Sequence, residues 1–308
     1  MHRTIEITVP PAETAGLLRQ LEALDDVIGL SVNPGASVKP RGDVITVHAL
    51  NKGADDVLRY AGEVGRRGTI SIVTAEVASI IDPAQDGAVE NDVDEAIWEE
   101  METGLRHQGR ITTNYLTLMA LGGAIAAVGL VSEPVPQVLA FVAASIIAPG
   151  FEPIVKIPLG LALRRPAVSR RGLVSTAAGY AILIVAAALT FLLLRLTGST
   201  TVADFVHNPE VERIAHPTFL DLLVSACGAI AGVVMVAAYR RSVIAGPLVA
   251  LILIPAAATI GVALVATEPR LVWEGFQRLA LDVLMVIALG MLVLFIKQRT
   301  VHRRPPLV

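Results

Sequence analysis

The sequence predicts an α-helical polytopic membrane protein that carries an N-terminal cytoplasmic α+β domain of ferredoxin-like plan. Three observations support that class. Of 308 residues, 54% are hydrophobic and only 17% charged, with a mean hydropathy of +0.63, whereas soluble domains carry about 25% charged residues. The acids crowd into residues 1–113, among them Asp82, Asp86, Glu90, Asp92, Asp94, Glu95, Glu99, Glu100 and Glu102, while long apolar stretches begin at Asn114. The first thirty residues mix charge with strand-like and helix-like pattern, unlike a signal peptide, so internal helices are expected to direct insertion. A net charge of −3 gives no case for nucleic acid. The single cysteine, Cys227, allows no internal disulfide and has no partners for a zinc site.

Residues 1–85 read as the α+β domain. Thr4–Pro10 alternates as a strand, and Glu13–Leu24 repeats helically at Leu17, Leu18, Leu21 and Leu24. Val27–Asn33 and Asp43–Leu50 look like strands joined by a Pro/Gly-rich connection, Pro34–Gly42. Asp55–Arg66 suggests a helix with Val57, Leu58, Ala61 and Val64 inward, and Ser71–Ile81 a closing strand. The order β-α-β-β-α-β is the ferredoxin-like plan, shared by ACT-type regulatory domains; the fold alone assigns no function. Asn33, Gly35, Arg41 and Gly42 are the candidate ligand loop, because such a loop holds an anion on its amides; a mere strand connection is the plainer reading. Residues 86–113 read as an acidic connecting helix and linker, with Val93, Ile97 and Met101 along one side and solvent around the rest.

About 20 apolar residues cross the hydrocarbon core as a helix. Six stretches qualify, at roughly 114–131, 135–163, 173–196, 218–238, 246–266 and 276–296, making residues 114–297 the membrane domain and 298–308 a basic tail. The second is long and is interrupted by Pro149, Gly150, Pro153 and Pro158. Arginines fix an expected orientation: Arg164, Arg165, Arg170 and Arg171 follow the second span, Arg240 and Arg241 the fourth, and Lys297, Arg299, Arg303 and Arg304 the sixth. Residues 132–137 hold no Lys or Arg, and 198–217 only Arg213. Positive loops stay cytoplasmic, so both termini are expected there, in a bacterial plasma membrane. Four lysines against 21 arginines, with abundant alanine, fit a GC-rich bacterial source.

A shift of 106 residues lays Gly122 on Gly228 and Pro149 on Pro255 and overlays the apolar blocks of two three-span halves. Three spans per half reverse the second half's direction, giving a 3+3 inverted repeat with broken second and fifth spans, a plan common among secondary transporters. Proline lacks an amide hydrogen, so Pro149 is expected to free the Ser145 carbonyl and Pro255 that of Leu251. Such groups are tolerated at membrane depth only inside protein or along a wet cavity. Pro153 suits the first turn of a new half-helix, whose amino end presents amides and partial positive charge, with Glu152 beside it and Lys156 a turn later.

Ionisable groups at that depth usually face a bundle interior. The candidate pathway is therefore Ser145, Pro149, Gly150, Glu152, Lys156, Asp221, Pro255 and Asp282. Each charged member has a plainer reading. Glu152 and Lys156 fit an i, i+4 ion pair, with Lys156 also able to snorkel, and Arg278 stands four residues before Asp282. Asp221 and Asn114 suit helix caps. Gly228 and Gly232 form a small-residue packing stripe, with Cys227 as apolar filler beside it. Arg41-Gly42-Asp43 resembles an adhesion tripeptide but is expected on the cytoplasmic side. The histidines His2, His48, His107, His207, His216 and His302 show no metal spacing. No phosphate loop, nucleotide fingerprint or nucleophile elbow occurs, so neither enzyme chemistry, a cofactor nor a metal is expected.

The runs Thr113-Asn-Tyr-Leu-Thr-Leu-Met-Ala-Leu, Gly129-Leu and Ala148-Pro-Gly-Phe-Glu-Pro-Ile resemble the bacterial membrane-protein family DUF389. So do Arg164-Arg165, Arg170-Arg171-Gly172-Leu, Asp221–Gly232 and Ile244–Ala256. Ala148–Pro153 departs from the family's Ser-Pro-Leu-Met-Gly-Pro-like element, and Pro255-Ala256 replaces a frequent double proline. The resemblance covers most of residues 27–296. It implies a multi-pass membrane protein with a cytoplasmic α+β domain and supplies no activity. The expected function is a transporter or channel for a small solute or ion, regulated by the cytoplasmic domain; the alternative is a membrane-anchored ligand sensor or scaffold. The expected partners are the lipid bilayer, that solute and further copies of the chain.

Overall fold

The computed structural model describes residues 2–93, 95–108, 110–238, 245–301, 304, 306 and 307. Asp94, Arg240, Arg241, Ile244, His302 and Arg303 lie outside the described residues. The chain divides into two compact units, Met1–Glu99 together with Lys297–Val308, and Glu100–Ile296.

The first unit follows the order β1 (His2–Val9), α1 (Pro11–Glu22), β2 (Val27–Val38), β3 (Arg41–Ala49), α2 (Ala54–Gly65) and β4 (Ser71–Val77), with a short α3 (Asp86–Glu90) after it. The four strands form one antiparallel sheet in the order β2-β3-β1-β4. Alternation drives it: Ile5, Ile7 and Val9 from β1 and Ile45, Val47 and Ala49 from β3 all face one side, with Ile5 opposite Val47 and Ile7 opposite Ile45. Leu17 and Leu21 of α1, and Val57, Leu58, Ala61 and Val64 of α2, cover that side. Leu18 and Leu24 reach the core only partly buried.

The connection expected over Pro34–Gly42 is mostly strand. β2 continues to Val38 through a register shift between Asn33 and Ser37, leaving Lys39 and Pro40 as the turn. Gly35 carries the positive φ of 64° that this irregularity needs. A Cβ on Gly42 would run into the Val9 carbonyl, so strand pairing demands glycine there.

The acidic segment is not a solvated spacer. Residues 91–93 and 95–97 are not helical, and a new helix, α4 (Trp98–Gln108), follows. Ile97, Trp98, Met101 and Leu105 are all buried, and Ile97 joins the sheet core. The four-residue spacing of Ile97 and Met101 was present in the sequence, but the acids around it masked how completely they are covered. The tail also belongs to this unit. Arg304 donates to Asp55 at 2.6 Å and to both carboxylate oxygens of Glu99 at 2.8 and 2.7 Å, and the Leu307 amide reaches Glu99 at 2.7 Å. Lys297 pairs with Glu95. Burial pushes the Glu99 carboxyl up, but the Arg304 hydrogen bonds and charge outweigh it and hold the group below its ordinary value.

The second unit is helical: α5 (Thr113–Gly129), α6 (Pro134–Ile147), α7 (Glu152–Ala162), α8 (Pro166–Leu196), α9 (Val202–Val206), α10 (Pro209–Ala215), α11 (Phe219–Ala237), α12 (Ala245–Ala266) and α13 (Pro269–Thr300). Four of these, α8, α11, α12 and α13, are long and apolar enough to cross a membrane; α6 and α7 make a fifth candidate as a pair bent by 50°. α5 is apolar but has 17 residues. Many large apolar side chains on α8, α11 and α13 face outward, including Leu189, Leu193, Phe219, Leu220, Leu284 and Leu292. Exposure on that scale is compatible with a membrane protein.

Two expectations about the helices change. The second span is broken, between Ile147 and Glu152, but the fifth is not: α12 runs through Pro255 as one helix. Packing holds it, since every residue from Leu253 to Ala263 is buried. The basic stretch Arg170-Arg171 is helical rather than loop, because Pro166 starts α8 early, at a first-turn position where proline is tolerated.

Candidate functional site

A cavity of about 270 Å³ enters the second unit where α6 and α11 begin, lined from α6, α10, α11, α12 and α13. Its mouth holds Glu210, Arg213 and Asp221, and Arg213 is 62% exposed there. Its floor holds Leu251, Pro255 and Arg278, whose side chain is only 6% exposed. Apolar walls come from Val138, Phe141, Ile214, Val224 and Ile252. Counting along the helices at 1.5 Å per residue, Pro255 lies about 16 Å from the Ala266 end of α12 and Arg278 about 14 Å from the Pro269 start of α13.

Local sequence explains the mouth. Pro209 starts α10, Asn208 caps it by accepting the Glu210 amide at 2.9 Å, and Glu210 and Arg213 fall on one face. Thr218 and Asp221 form a reciprocal capping box that starts α11. Arg213 bridges Glu210 at 3.3 Å and Asp221 at 3.2 Å. Burial raises the Glu210 carboxyl above its ordinary value; Arg213 opposes this and the Asp221 charge adds to it. Beneath, Gln137 donates to the Gly129 carbonyl and to Asn208, each at 3.1 Å, and Asn208 donates to the Leu130 carbonyl at 3.1 Å. This buried network ties the α8–α11 connection to the turn between α5 and α6.

The floor has one strong polar feature. Arg278 Nε donates to Asp282 at 2.8 Å and Nη2 to Ser225 Oγ at 3.0 Å. The other Asp282 oxygen is buried without a hydrogen-bond partner among the described residues. Pro255 leaves the Leu251 carbonyl without its helical donor, and Leu251 and Pro255 both border the cavity. The Pro255 carbonyl itself accepts from Thr259 Oγ1 at 2.9 Å.

The expected pathway residues therefore divide. Asp221 and Pro255 line the cavity, and Asp282 meets it through Arg278. Ser145, Pro149, Gly150, Glu152 and Lys156 do not line it. They gather at the break between α6 and α7, which is tightly filled. Tyr180 of α8 donates to the Gly150 carbonyl at 3.3 Å, and Phe151 packs on Gly232 of α11. A Cβ on Gly150 would touch Tyr180 at 2.8 Å and lie 4.0 Å from Ile254, so the break abuts α12 beside Pro255. The expected open amides are partly used, because the Ile154 and Val155 amides return to the Phe151 carbonyl. Glu152 and Lys156 form no direct ion pair; one Glu152 oxygen is buried without a partner among the described residues, and Lys156 is 5% exposed beside Gly172.

Other expectations shift by a residue or a face. Asn114 does not cap α5, because Thr112 accepts the Tyr115 amide. Gly232 takes a close contact, but a Cβ on Gly228 would meet, among the described residues, only Val249, at 3.9 Å. Cys227 is exposed rather than filling a core.

The expected ligand loop in the first unit is already satisfied by the chain. The Gly35 amide donates to Asp43 Oδ1 at 2.8 Å, and Thr14 donates to Asp43 Oδ2 at 2.7 Å. Asn33 and Gly42 sit in strand pairs, and Arg41 is exposed opposite Val38. Asp43, adjacent to Gly42, occupies the anion position itself. Sequence reading also missed Gln137, Asn208, Glu210, Arg213 and Ser225. Proline at the first turn of α10 and the acid–arginine spacing of three signalled Glu210 and Arg213. Nothing local marked Gln137, whose partners lie 8 and 71 residues away.

No curated protein and no solved structure matches the chain. Residues 145–289 match the family model described as Domain of unknown function (DUF389). That stretch contains every cavity-lining residue except Gln137, Val138, Phe141 and Val142. Over those residues, just under half of its length, the chain is similar to the DUF389 family.

Proposed function

We propose that the protein moves a small solute or ion across a bacterial inner membrane, with the cavity as its outer half-pathway. The observation that carries this reading is a charge-lined hollow whose floor reaches a proline-freed carbonyl, within helices of membrane-crossing length. Backbone freed at membrane depth is tolerated where it borders a wet cavity, and the Leu251 carbonyl fits that condition. In this reading α5, the bent pair α6–α7, α8, α11, α12 and α13 make six crossings, with both termini cytoplasmic by the arginine bias. The floor at about 14–16 Å then falls near the middle of a hydrocarbon layer of about 30 Å. The tight packing beyond it closes the inner half, so passage requires the α6–α7 break to move against α12, as alternating access demands. The cytoplasmic unit regulates that motion, the lipid bilayer is the solvent of the outward-facing side chains, and copies of the chain associate through their exposed apolar faces.

Stopped-flow light scattering of proteoliposomes exposed to gradients of small osmolytes and salts tests the proposal. At least one solute is expected to equilibrate faster through the native protein than through Val224→Trp, which fills the cavity wall. Recovery equal to that of empty vesicles for every solute contradicts it. The sensor reading has its own observation, a groove of about 520 Å³ between α1 and α2 lined by Glu13, Arg19, Tyr60, Glu63 and Arg67. It predicts ligand binding there and no flux.

A further inference from the structure

The same cavity carries both signs of charge at its two ends, and we infer that its ligand is a small zwitterion of amino-acid size. The carboxylate sits on Arg278 at the floor, and the ammonium group sits against Asp221 and Glu210 at the mouth. The inference rests on the transport reading of this cavity and names its substrate class.

Arg278 is the anchor. A guanidinium has five N–H donors in a planar fork. Among the described residues one is used on Asp282 and one on Ser225, so three remain for the cavity that the side chain lines. Asp282 cancels the charge of Arg278 but not its capacity to donate, and a fork matches a carboxylate in two parallel hydrogen bonds.

The mouth selects against a simple anion. Among the described residues, Arg213 is the cation in ion-pair contact with both Glu210 and Asp221, so these three side chains together carry one net negative charge. A bare anion meets that charge and, below it, an arginine already neutralised. A bare amine satisfies the mouth but leaves the Arg278 donors unpaired in a site from which it has displaced water, which is costly. A zwitterion satisfies both ends. The spacing agrees: Ser225, which holds Arg278, is one helical turn after Asp221 on α11, about 6 Å along the axis. A molecule a few bonds long spans that distance. A volume of about 270 Å³ equals the liquid volume of about nine waters, which admits a small amino acid and lets the apolar walls take an aliphatic side chain.

The test is calorimetric titration of the full-length protein in phosphatidylcholine nanodiscs. L-alanine is compared with propionate and ethylamine, and L-valine with isovalerate and isobutylamine, each analogue lacking one charged group. The amino acids are expected to bind about tenfold or more tightly than either analogue, because buried donors and acceptors reject a ligand that leaves them unpaired. Val224→Trp is expected to abolish binding while keeping every charge. The double variant Arg278→Gln/Asp282→Asn, which removes the buried pair together, is expected to lose amino-acid binding but keep that of isobutylamine. An analogue binding as tightly as its amino acid, or no amino-acid binding, overturns the inference. Inorganic-ion flux without amino-acid binding sinks the zwitterion and leaves transport standing. Amino-acid binding without flux of any solute does the reverse.

Discussion

Arg278 and Asp282 show how much of the membrane unit rests on single groups. Both are nearly fully buried, and removing one member of such a pair leaves an uncompensated charge. Arg278→Gln alone is expected to destabilise the protein by about 3–5 kcal/mol, and pairing it with Asp282→Asn to restore most of that loss. Thermal unfolding in nanodiscs measures both; equal losses in the single and double variants would show that the pair is not coupled. Asp43 gives a second expectation, in the first unit. The Thr14 hydroxyl and then the Gly35 amide hold its carboxyl below the ordinary 3.8. A depressed folded value stabilises above the unfolded value and is lost as pH falls through the folded one. Hydrogen exchange of β2 and α1 is therefore expected to accelerate as pH drops below about 4, after correction for intrinsic rates, and Thr14→Val to shrink that acceleration while raising exchange at neutral pH. A pH dependence unchanged by Thr14→Val would contradict this account. The role of Asp43 was hidden in the sequence because its donors come from residues 29 and 8 positions away.

At the scale of elements, periodicity was informative and proline was not. β1, β3, α1 and α2 follow directly from apolar spacing of two or three to four residues, and the Asp221 cap was legible from the Thr218-x-x-Asp221 pattern. Proline at the middle of a span gives two outcomes that composition does not separate. At Pro149 a glycine follows and the helix breaks, while at Pro255 three alanines follow and α12 continues. Short side chains let neighbouring helices close around α12 and hold it. Glu152 and Lys156 looked like the centre of the site because they stand at the break, yet Phe151 of the break itself and Tyr180, 30 residues away, fill it. Pro255→Ala returns a donor to the Leu251 carbonyl, an effect of up to about 3 kcal/mol for a helix interior. Higher thermal stability with slower solute flux is the expected outcome, read by unfolding and light scattering on the same preparation. Faster flux would show that the freed carbonyl plays no part in passage.

For the whole molecule, the two-part division was visible in the charge distribution, but its boundaries were not. The first unit takes in Ile97 and Trp98 and closes on the tail through Arg304, contacts between positions too far apart for local pattern to reveal. The repeat suggested by the 106-residue shift finds a broken helix in one half and an unbroken one in the other. On the transport reading, water reaches the Leu251–Pro255 turn from the side where α6 and α11 begin. This access is tested most directly by placing a cysteine at Leu251 in a Cys227→Ser background and treating sealed, outward-facing cells with a membrane-impermeant maleimide. The account predicts that Leu251→Cys is labelled and that adding Val224→Trp blocks the labelling. A Leu251→Cys protein that stays unmodified in intact cells, yet reacts once the membrane is dissolved, would contradict it.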